Sequence, residues 1–203
     1  MDCFAVTIAR EYGSGGRLIG RKLAEDLGVD FYDKEIIALA SEESGFHVDF
    51  IQTMEQKKAS GFFYNLFMHT QELPIPEQVF LAQSNVIKSL AKKGSCVIIG
   101  RCADYVLSEM ANCVRVFVYA DIETRIRTVR DEYHEGHGDL KEYIRKQDKC
   151  RAAYYDFFTQ KKWGIAQNYN LCIDSGIGIQ ASARVLKDYV LEFLKPKQAG
   201  GAI

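Results

Sequence analysis

A glycine-rich segment near the N-terminus has the residue types and spacing to bind phosphate. An apolar run, Phe4 to Ala9, leads into Arg10-Glu-Tyr-Gly-Ser-Gly-Gly-Arg17 and then directly into a helical pattern. Glycines allow successive backbone N–H groups to turn toward one anion, and the following helix adds the positive end of its dipole. The segment predicts a cradle for a nucleoside di- or triphosphate, formed by Gly13, Ser14, Gly15 and Gly16. A flexible strand-to-helix turn is the alternative interpretation.

The segment departs from the strict phosphate-loop pattern, which is Gly, four residues and then Gly-Lys-Ser/Thr, in three places. Arg10 stands at the first glycine, Gly16 at the lysine and Arg17 at the hydroxyl residue. A guanidinium can bind phosphate through two hydrogen bonds. We therefore expect Arg17, or Arg10 from the other end of the loop, to supply the missing charge.

A dinucleotide-binding fold is a competing interpretation of the same glycines. Asp33 follows them at about the 20-residue distance that such a site requires. Leu18, however, occupies the third glycine position, and Val29 to Asp33 is too short to predict a convincing second strand before the helical pattern from Lys34. These two features disfavour a dinucleotide site.

Four apolar runs that alternate with helical patterns predict the strands that position the loop. They are Phe4 to Ala9, Cys96 to Gly100, Val114 to Ala120 and Leu171 to Asp174. Since their apolar residues do not alternate with polar ones, both faces should be covered, as in a parallel α/β sheet. Ligands of such sheets bind beyond the carboxyl ends of the strands. The candidate positions are therefore Arg10 to Arg17, Arg101 to Asp104, Asp121 and Asp174-Ser175.

Residues 34–93 have an entirely helical pattern and predict an insertion between strands of the sheet. The pattern is interrupted at Pro74-Ile-Pro76, and a longer helix is expected from near Glu77. An aromatic cluster precedes this break, and its spacing favours helix packing over a wall for base stacking. Its members are Phe62, Phe63, Tyr64 and Phe67.

Residues 122–165 are charged and rich in arginine. The arginines are Arg125, Arg127, Arg130, Arg145 and Arg151. One interpretation is a solvated helix face with internal ion pairs. Because a phosphate loop lies upstream, we favour a mobile lid that closes over the phosphates.

Composition and charge exclude several other classes of protein. The 203 residues are 47% hydrophobic, which suits one domain with a substantial core, and the net charge of −1 gives no electrostatic reason to expect nucleic acid or an anionic membrane. No apolar run approaches the roughly 20 residues of a membrane span, and no signal peptide is indicated, so we expect a cytoplasmic protein. The six cysteines and four histidines show no metal-ligand spacing, which predicts reduced thiols and no protein-bound metal site.

Taken together, five segments resemble the cytidylate-kinase-like family of phosphate-loop NTPases. They are Ile8 to Arg17, Phe31 to Glu35, Val97 to Tyr105, Asp148 to Arg151 and Leu171 to Ser175. The resemblance implies a three-layer α/β fold with a five-stranded parallel sheet, a helical substrate-binding insertion and an arginine-bearing lid. On this basis the core comprises residues 1–33, 94–121 and 168–195, the insertion 34–93 and the lid 122–165, and residues 196–203 form a flexible tail.

The same resemblance implies roles for two arginines. Arg101, in Gly100-Arg101, would bind the acceptor nucleotide, and Arg151, in Asp148-x-x-Arg151, would face the phosphates. Genuine cytidylate kinases also have the loop lysine and, after Gly-Arg, an aspartate; this chain has Gly16 and Cys102 there.

We therefore expect an ATP- and Mg²⁺-dependent phosphotransferase that acts on a CMP-like nucleoside monophosphate or another small acceptor. Arg151, with Arg125 or Arg130, would act on the charge that develops between donor and acceptor. Asp33 and Asp104 would recognise the acceptor or order magnesium through water, or they are ordinary carboxylates at helix starts. Two alternatives stay open: a weak or inactive nucleotide-binding regulatory module, and a kinase of a non-nucleotide metabolite. The insertion could also carry a homodimer interface.

Overall fold

Five parallel strands form the sheet that carries the glycine loop. The structure, a computed structural model, describes residues 3–49, 51, 75–135 and 138–196. The strands are β1 (Ala5–Arg10), β2 (Asp30–Tyr32), β3 (Cys96–Ile99), β4 (Cys113–Tyr119) and β5 (Leu171–Asp174). Their order in the sheet is β2-β3-β1-β4-β5, so β1 is central and pairs with β3 and β4.

Burial explains why these runs become strands. Every residue of β3 is buried, as is every residue of β1 before Arg10. Ala5 is in register with Cys96 on one side and Cys113 on the other, so the three inner strands begin level. The predicted parallel α/β sheet with both faces covered is confirmed.

A short strand forms between Val29 and Asp33, so the prediction against a strand there was wrong. Asp30–Tyr32 forms β2, which pairs with β3 from Asp30 against Cys96 to Tyr32 against Ile98. A three-residue edge strand needs hydrogen bonds on one side only, and the fully formed β3 supplies them. Since β2 lies outside β3 rather than beside β1, the strand order still differs from that of a dinucleotide-binding fold.

Helices cover both faces of the sheet and give three layers. They are α1 (Gly16–Leu27), α2 (Glu35–Ser44), α3 (Ile75–Lys93), α4 (Ala103–Val106), α5 (Ile122–Thr128), α6 (Leu140–Thr159) and α7 (Ile179–Phe193). A five-residue π-helical turn, Val129–Tyr133, continues α5. One apolar cluster joins α2 and α3 to the sheet, and another joins α1 and α7 to it.

The predicted insertion is described in part. Helix α3 begins at Ile75, two residues before the expected Glu77, because Pro76 is tolerated in the first turn of a helix, where its missing N–H has no partner. The aromatic cluster Phe62 to Phe67 and most of the predicted tail lie outside the described residues. Within the described ranges no helix is long and apolar enough to cross a membrane.

Candidate active site

The glycine loop joins the carboxyl end of β1 to the start of α1. Gly13 and Gly15 have φ angles of 82° and 73°, in the left-handed region that favours glycine. A Cβ on Gly13 would also lie 2.7 Å from the carbonyl oxygen of Arg125. Gly15 is the N-cap of α1 and makes no side-chain cap, so the first N–H groups of the helix can bind an anion.

Serine hydroxyls fix the back of this loop. Ser14 is only 2% exposed, and its hydroxyl donates to the carbonyl oxygen of Glu11 at 2.9 Å. The hydroxyl of Ser175, directly after β5, lies 2.7 Å from the carbonyl oxygen of Ser14 and 3.1 Å from that of Tyr119. The Ser14 side chain therefore belongs to the support of the loop, and its backbone is the part that can face a phosphate.

Arg10 and Gly16 pack against each other, which links two of the departures from the strict loop pattern. A Cβ on Gly16 would lie 2.8 Å from the Cβ and 3.1 Å from the Cγ of Arg10. The Arg10 guanidinium extends to Gly100, after β3, where any Cβ would overlap it. A lysine at position 16 therefore has no room for its stem while Arg10 is present.

Asp33 joins two of the predicted arginines. One of its carboxylate oxygens lies 2.8 Å from Nε of Arg17, and the other lies 3.5 Å from Nη1 of Arg101. Asp33 is 5% exposed, whereas the Arg17 side chain is partly open to solvent. This carboxylate therefore fixes the two guanidinium groups on one side of the loop.

Arg151 of α6 brings a further charge to Arg10. Its Nη1 donates to the carbonyl oxygen of Arg10 at 3.0 Å, and its guanidinium lies over the Tyr12 ring, 4.9 Å from the centroid. Burial and the neighbouring Arg151 charge lower the pKa of Arg10, and burial also lowers the pKa of Arg151. Neither guanidinium forms an ion pair with a described residue. The site thus holds a local excess of positive charge.

The turn after β3 adopts an uncommon backbone. Gly100, Arg101 and Cys102 have consecutive positive φ angles of 69°, 53° and 54°. Arginine and cysteine rarely adopt this conformation, which costs of order 1–3 kcal/mol per residue and is concentrated at functional sites. It directs Arg101 toward Asp33 at the carboxyl end of the sheet.

Arg125 supports the glycine loop from behind through contacts with other protein groups. It is 7% exposed; Nε donates to the carbonyl oxygen of Tyr12 at 2.7 Å, Nη1 lies 3.2 Å from Glu11, and Nη2 pairs with Asp148. The other oxygen of Asp148 accepts the backbone N–H of Tyr12 at 2.7 Å. Arg125 and Asp148 thus bind α5 and α6 to the glycine loop, and all three Arg125 nitrogens are engaged by protein groups.

The remaining arginines of residues 122–165 face solvent. The Arg130 side chain is 62% exposed and pairs with Asp131 at 2.7 Å, and Arg127 and Arg145 are also exposed. The arginines of this segment therefore fall into two groups. Arg151 lies at the loop, and Arg130 belongs to a solvated face.

Asp104 also has a protein partner. It is buried in the first turn of α4 and accepts a hydrogen bond of 2.8 Å from the hydroxyl of Tyr155, on α6. Burial raises the pKa of Asp104. The contact fixes α6 to the core, and Asp104 is not open to an acceptor in this arrangement.

Two tyrosines at the loop were not predicted from the sequence. The hydroxyl of Tyr12 donates to Glu135, and its ring meets those of Tyr133 and Tyr143 edge-on, with centroids 6.1 and 5.6 Å apart. Burial raises the pKa of Tyr133, and the neighbouring Arg151 and Arg10 charges oppose this shift. Tyr12 and Tyr133 are each a large aromatic residue that follows charged residues in the sequence, and this was the one signal that could have pointed to them.

The residues at the loop suit phosphate better than a metal ion. The first N–H groups of α1 can donate to phosphate oxygens, and so can the guanidinium groups of Arg10 and Arg151, which form no ion pair with a described residue. Across the described residues no group of three or more His, Cys, Asp or Glu side chains could hold a metal ion. Asp33, which lies closest to the arginines, is already engaged by two of them.

Comparison with known proteins agrees with this geometry. The cytidylate kinase-like family matches residues 5–177. An uncharacterized protein from Eubacterium ventriosum has a similar structure, with a TM-score of 0.69 and 26% identity over 92% of this chain and 98% of that one. No curated protein sequence matches significantly.

Two similar structures are kinases of small molecules. Shikimate kinase from Bacteroides thetaiotaomicron has a TM-score of 0.57 and 14% identity, over 93% of this chain and 98% of that chain. A gluconokinase from Sinorhizobium meliloti 1021 has a TM-score of 0.53 and 14% identity, over 95% and 98%. At this identity the likeness shows the fold, which is that of phosphate-loop kinases. With the family match over most of its length, the chain belongs to the cytidylate kinase-like family.

Proposed function

We propose that this protein is an ATP-dependent phosphotransferase that moves the γ-phosphoryl group of ATP to a CMP-like nucleoside monophosphate. The observation that carries the proposal is the convergence of Arg10, Arg17, Arg101 and Arg151 on one glycine loop, with Asp33 as the carboxylate that pairs with two of them. An excess of positive charge on partly buried groups is costly unless an anion balances it. Two phosphorylated substrates would do so.

The donor phosphates would lie on the backbone N–H groups of Gly13 to Gly16. Arg10 and Arg151, which have no ion pair with a described residue, would face the β- and γ-phosphates in place of the missing lysine. ATP would enter as its Mg²⁺ complex, as substrate. Phosphoryl transfer needs little covalent chemistry from a protein, so these residues would act by positioning and by electrostatic stabilisation.

The acceptor would bind on the side of Asp33. Arg101 and Arg17 would hold the acceptor phosphate, and Asp33 would keep both guanidinium groups in place. One acceptor phosphate oxygen then attacks the γ-phosphorus as the bond to the β-phosphate oxygen breaks, giving ADP and the phosphorylated acceptor. Cys102 stands in place of the aspartate of genuine cytidylate kinases. Other residues would therefore have to select the nucleobase of the acceptor.

The test is ADP formation from Mg-ATP with a panel of nucleoside monophosphates, CMP first. Removing a positioned charge in such sites typically lowers turnover by about 100-fold or more, so Arg151→Ala and Arg101→Ala should each do so. Arg184→Ala, on the exposed face of α7, is the matched control and should keep wild-type activity. Turnover that survives in both site variants would contradict the proposal.

A second candidate function is a nucleotide-binding module without turnover. It is favoured by the contact between Arg10 and Gly16, which excludes the usual lysine. ATP binding with no ADP formation across the nucleotide panel would support it. Hydroxylated carboxylic acids and sugar acids belong in the same panel, because the fold is shared with a shikimate kinase and a gluconokinase. Turnover with one of these would instead identify a metabolite kinase.

A further inference from the structure

A hydrogen bond between two buried side chains connects the turn after β3 to α6. The hydroxyl of Tyr155, on α6, donates to Asp104, in the first turn of α4, at 2.8 Å. Each residue is 4% exposed, so the bond is shielded from solvent. Asp104 follows Arg101 by three residues, and Tyr155 follows Arg151 by four. The bond therefore connects the chain beside one arginine of the site with the chain beside another.

Fixing Tyr155 also fixes the position of Arg151. Residues four apart lie on the same face of a helix, and both belong to the unbroken helix α6. The Arg151 guanidinium extends to the glycine loop, where it donates to the carbonyl oxygen of Arg10 at 3.0 Å. Because a helix is stiff over one turn, the Tyr155 hydroxyl holds the backbone from which this guanidinium extends.

The same bond limits the movement of the turn that carries Arg101. Gly100, Arg101 and Cys102 all have positive φ angles, a conformation that persists only where the surroundings enforce it. Helix α4, which follows, has only four residues, too few to hold the turn by its own stability. Asp104 lies two residues after the turn, and its contact with Tyr155 adds a fixed point from outside the segment.

Attachment of α6 to the rest of the protein does not by itself require this hydrogen bond. Helix α6 also packs on α3, where the rings of Phe80 and Phe158 stack with centroids 4.2 Å apart. Apolar contact has no preferred direction, whereas a hydrogen bond prefers one distance and one angle. The bond between Asp104 and Tyr155 thus adds alignment between α6 and the turn after β3.

We propose that Asp104 and Tyr155 are positioning residues that keep Arg151 and Arg101 at the separation that phosphoryl transfer requires. The inference rests on the proposed function, in which Arg151 faces the donor phosphates and Arg101 holds the acceptor phosphate. Each arginine also has contacts that do not involve this bond. Loss of the bond should therefore leave the binding of each substrate nearly unchanged but align the two phosphates less accurately for in-line attack.

Tyr155→Phe tests this, since it keeps the ring and removes the hydroxyl. Rates of ADP formation are measured with Mg-ATP and the acceptor that the panel of nucleoside monophosphates identifies. Because a displacement of about 1 Å can cost about 100-fold in rate, we expect kcat to fall about ten-fold while both KM values stay within about two-fold. Tyr154→Phe is the matched control: it removes a hydroxyl of the same helix that donates to Gln83 on α3, and it should keep the wild-type kcat.

Asp104→Asn separates the hydrogen bond from the charge. Its amide oxygen can still accept the Tyr155 hydroxyl, so kcat should fall by no more than about three-fold. Asp104→Ala removes the acceptor and should lower kcat as far as Tyr155→Phe does. Thermal unfolding verifies that each variant is folded at the assay temperature.

The outcomes separate the inference from the proposed function. A wild-type kcat in Tyr155→Phe would overturn the inference, and so would a loss confined to KM, which would make the hydroxyl part of a binding site. An equal loss in Asp104→Asn and Asp104→Ala would also overturn it, because the charge rather than the hydrogen bond would then matter. All three outcomes leave the phosphotransferase in place. If the wild type forms no ADP with any acceptor, the proposed function fails and the inference fails with it.

Discussion

At the scale of single residues, the unusual glycine loop contains compensating changes. The structure pairs Arg10, at the first glycine position, with Gly16, at the lysine position, because the stem of one fills the space beside the other. A positive charge is thus retained near the cradle but reaches it from the opposite end of the loop. The sequence offered Arg17 and Arg10 as alternatives; Arg17 pairs with Asp33, which favours Arg10 as the substitute in our proposal.

We predict that Gly16→Lys alone is destabilising and that Arg10→Gly rescues it. Overpacking of this kind typically costs about 1–3 kcal/mol. The double variant should recover most of this loss, with a coupling energy of about 1 kcal/mol or more in a double-mutant cycle measured by urea unfolding. Gly94→Lys is the control, because nothing lies within 4 Å of a Cβ there. If Gly16→Lys is as stable as the wild type, the two positions are not coupled as we describe.

At the scale of elements, α6 is tied to the glycine loop in this structure. Asp148 accepts the backbone N–H of Tyr12 and pairs with Arg125, while Tyr155 on the same helix donates to Asp104 in the core. Since Asp148 and Tyr155 are seven residues apart, these contacts lie about two turns apart on one face of α6. Closing motions of residues 122–165 would therefore have to take place around these anchors or break them.

Asp148→Asn measures the strength of this anchor. The amide oxygen can still accept the Tyr12 N–H, but the buried Arg125 loses a charged partner, so we expect a loss of about 2 kcal/mol in unfolding free energy. Hydrogen exchange at the Tyr12 amide and along α6 should accelerate. Asp156→Asn is matched to it, since Asp156 also accepts a backbone N–H and pairs with an exposed lysine, Lys162. Equal effects of the two substitutions would argue against a special role for Asp148.

The elements also show what could be predicted from the sequence. The inner strands were predictable because burial on both faces leaves an uninterrupted apolar run, whereas the three residues of β2 carry no such signal and depend on β3 for hydrogen bonds. The role of Arg125 was not predictable, because two of its partners, Glu11 and Tyr12, lie more than 100 residues away in the sequence. Long-range partners such as Asp148 for Tyr12 leave no local pattern either.

At the scale of the whole molecule, charge is distributed very unevenly. The chain as a whole carries a net charge of −1, yet four arginines gather at the carboxyl end of its sheet. A local positive field of this kind attracts anionic ligands from solution. It also costs stability in the free protein, since burial lowers the pKa of Arg10, which means that its charged form is destabilised in place. Stability and ligand binding should therefore oppose each other at this residue.

Arg10→Met tests this opposition. Methionine keeps an apolar stem beside Gly16 and removes a partly buried charge that has no ion pair among the described residues. The free variant should therefore unfold at a higher temperature, with a gain of about 1 kcal/mol. A ligand at 100 times its dissociation constant stabilises by about 2.7 kcal/mol, which for a domain of this size corresponds to a shift of roughly 5–10 °C. Saturating pyrophosphate should shift the unfolding temperature of the wild type by this amount and that of Arg10→Met by much less. Arg184→Met should match the wild type in both respects.

Thermal scans with sodium chloride at equal ionic strength separate the effect of binding from that of charge screening. Two results would contradict this prediction: a lower unfolding temperature of the free variant than of the free wild type, or a pyrophosphate-induced shift in unfolding temperature as large as that of the wild type. Either would show that the Arg10 charge does not bind an anion at the expense of stability.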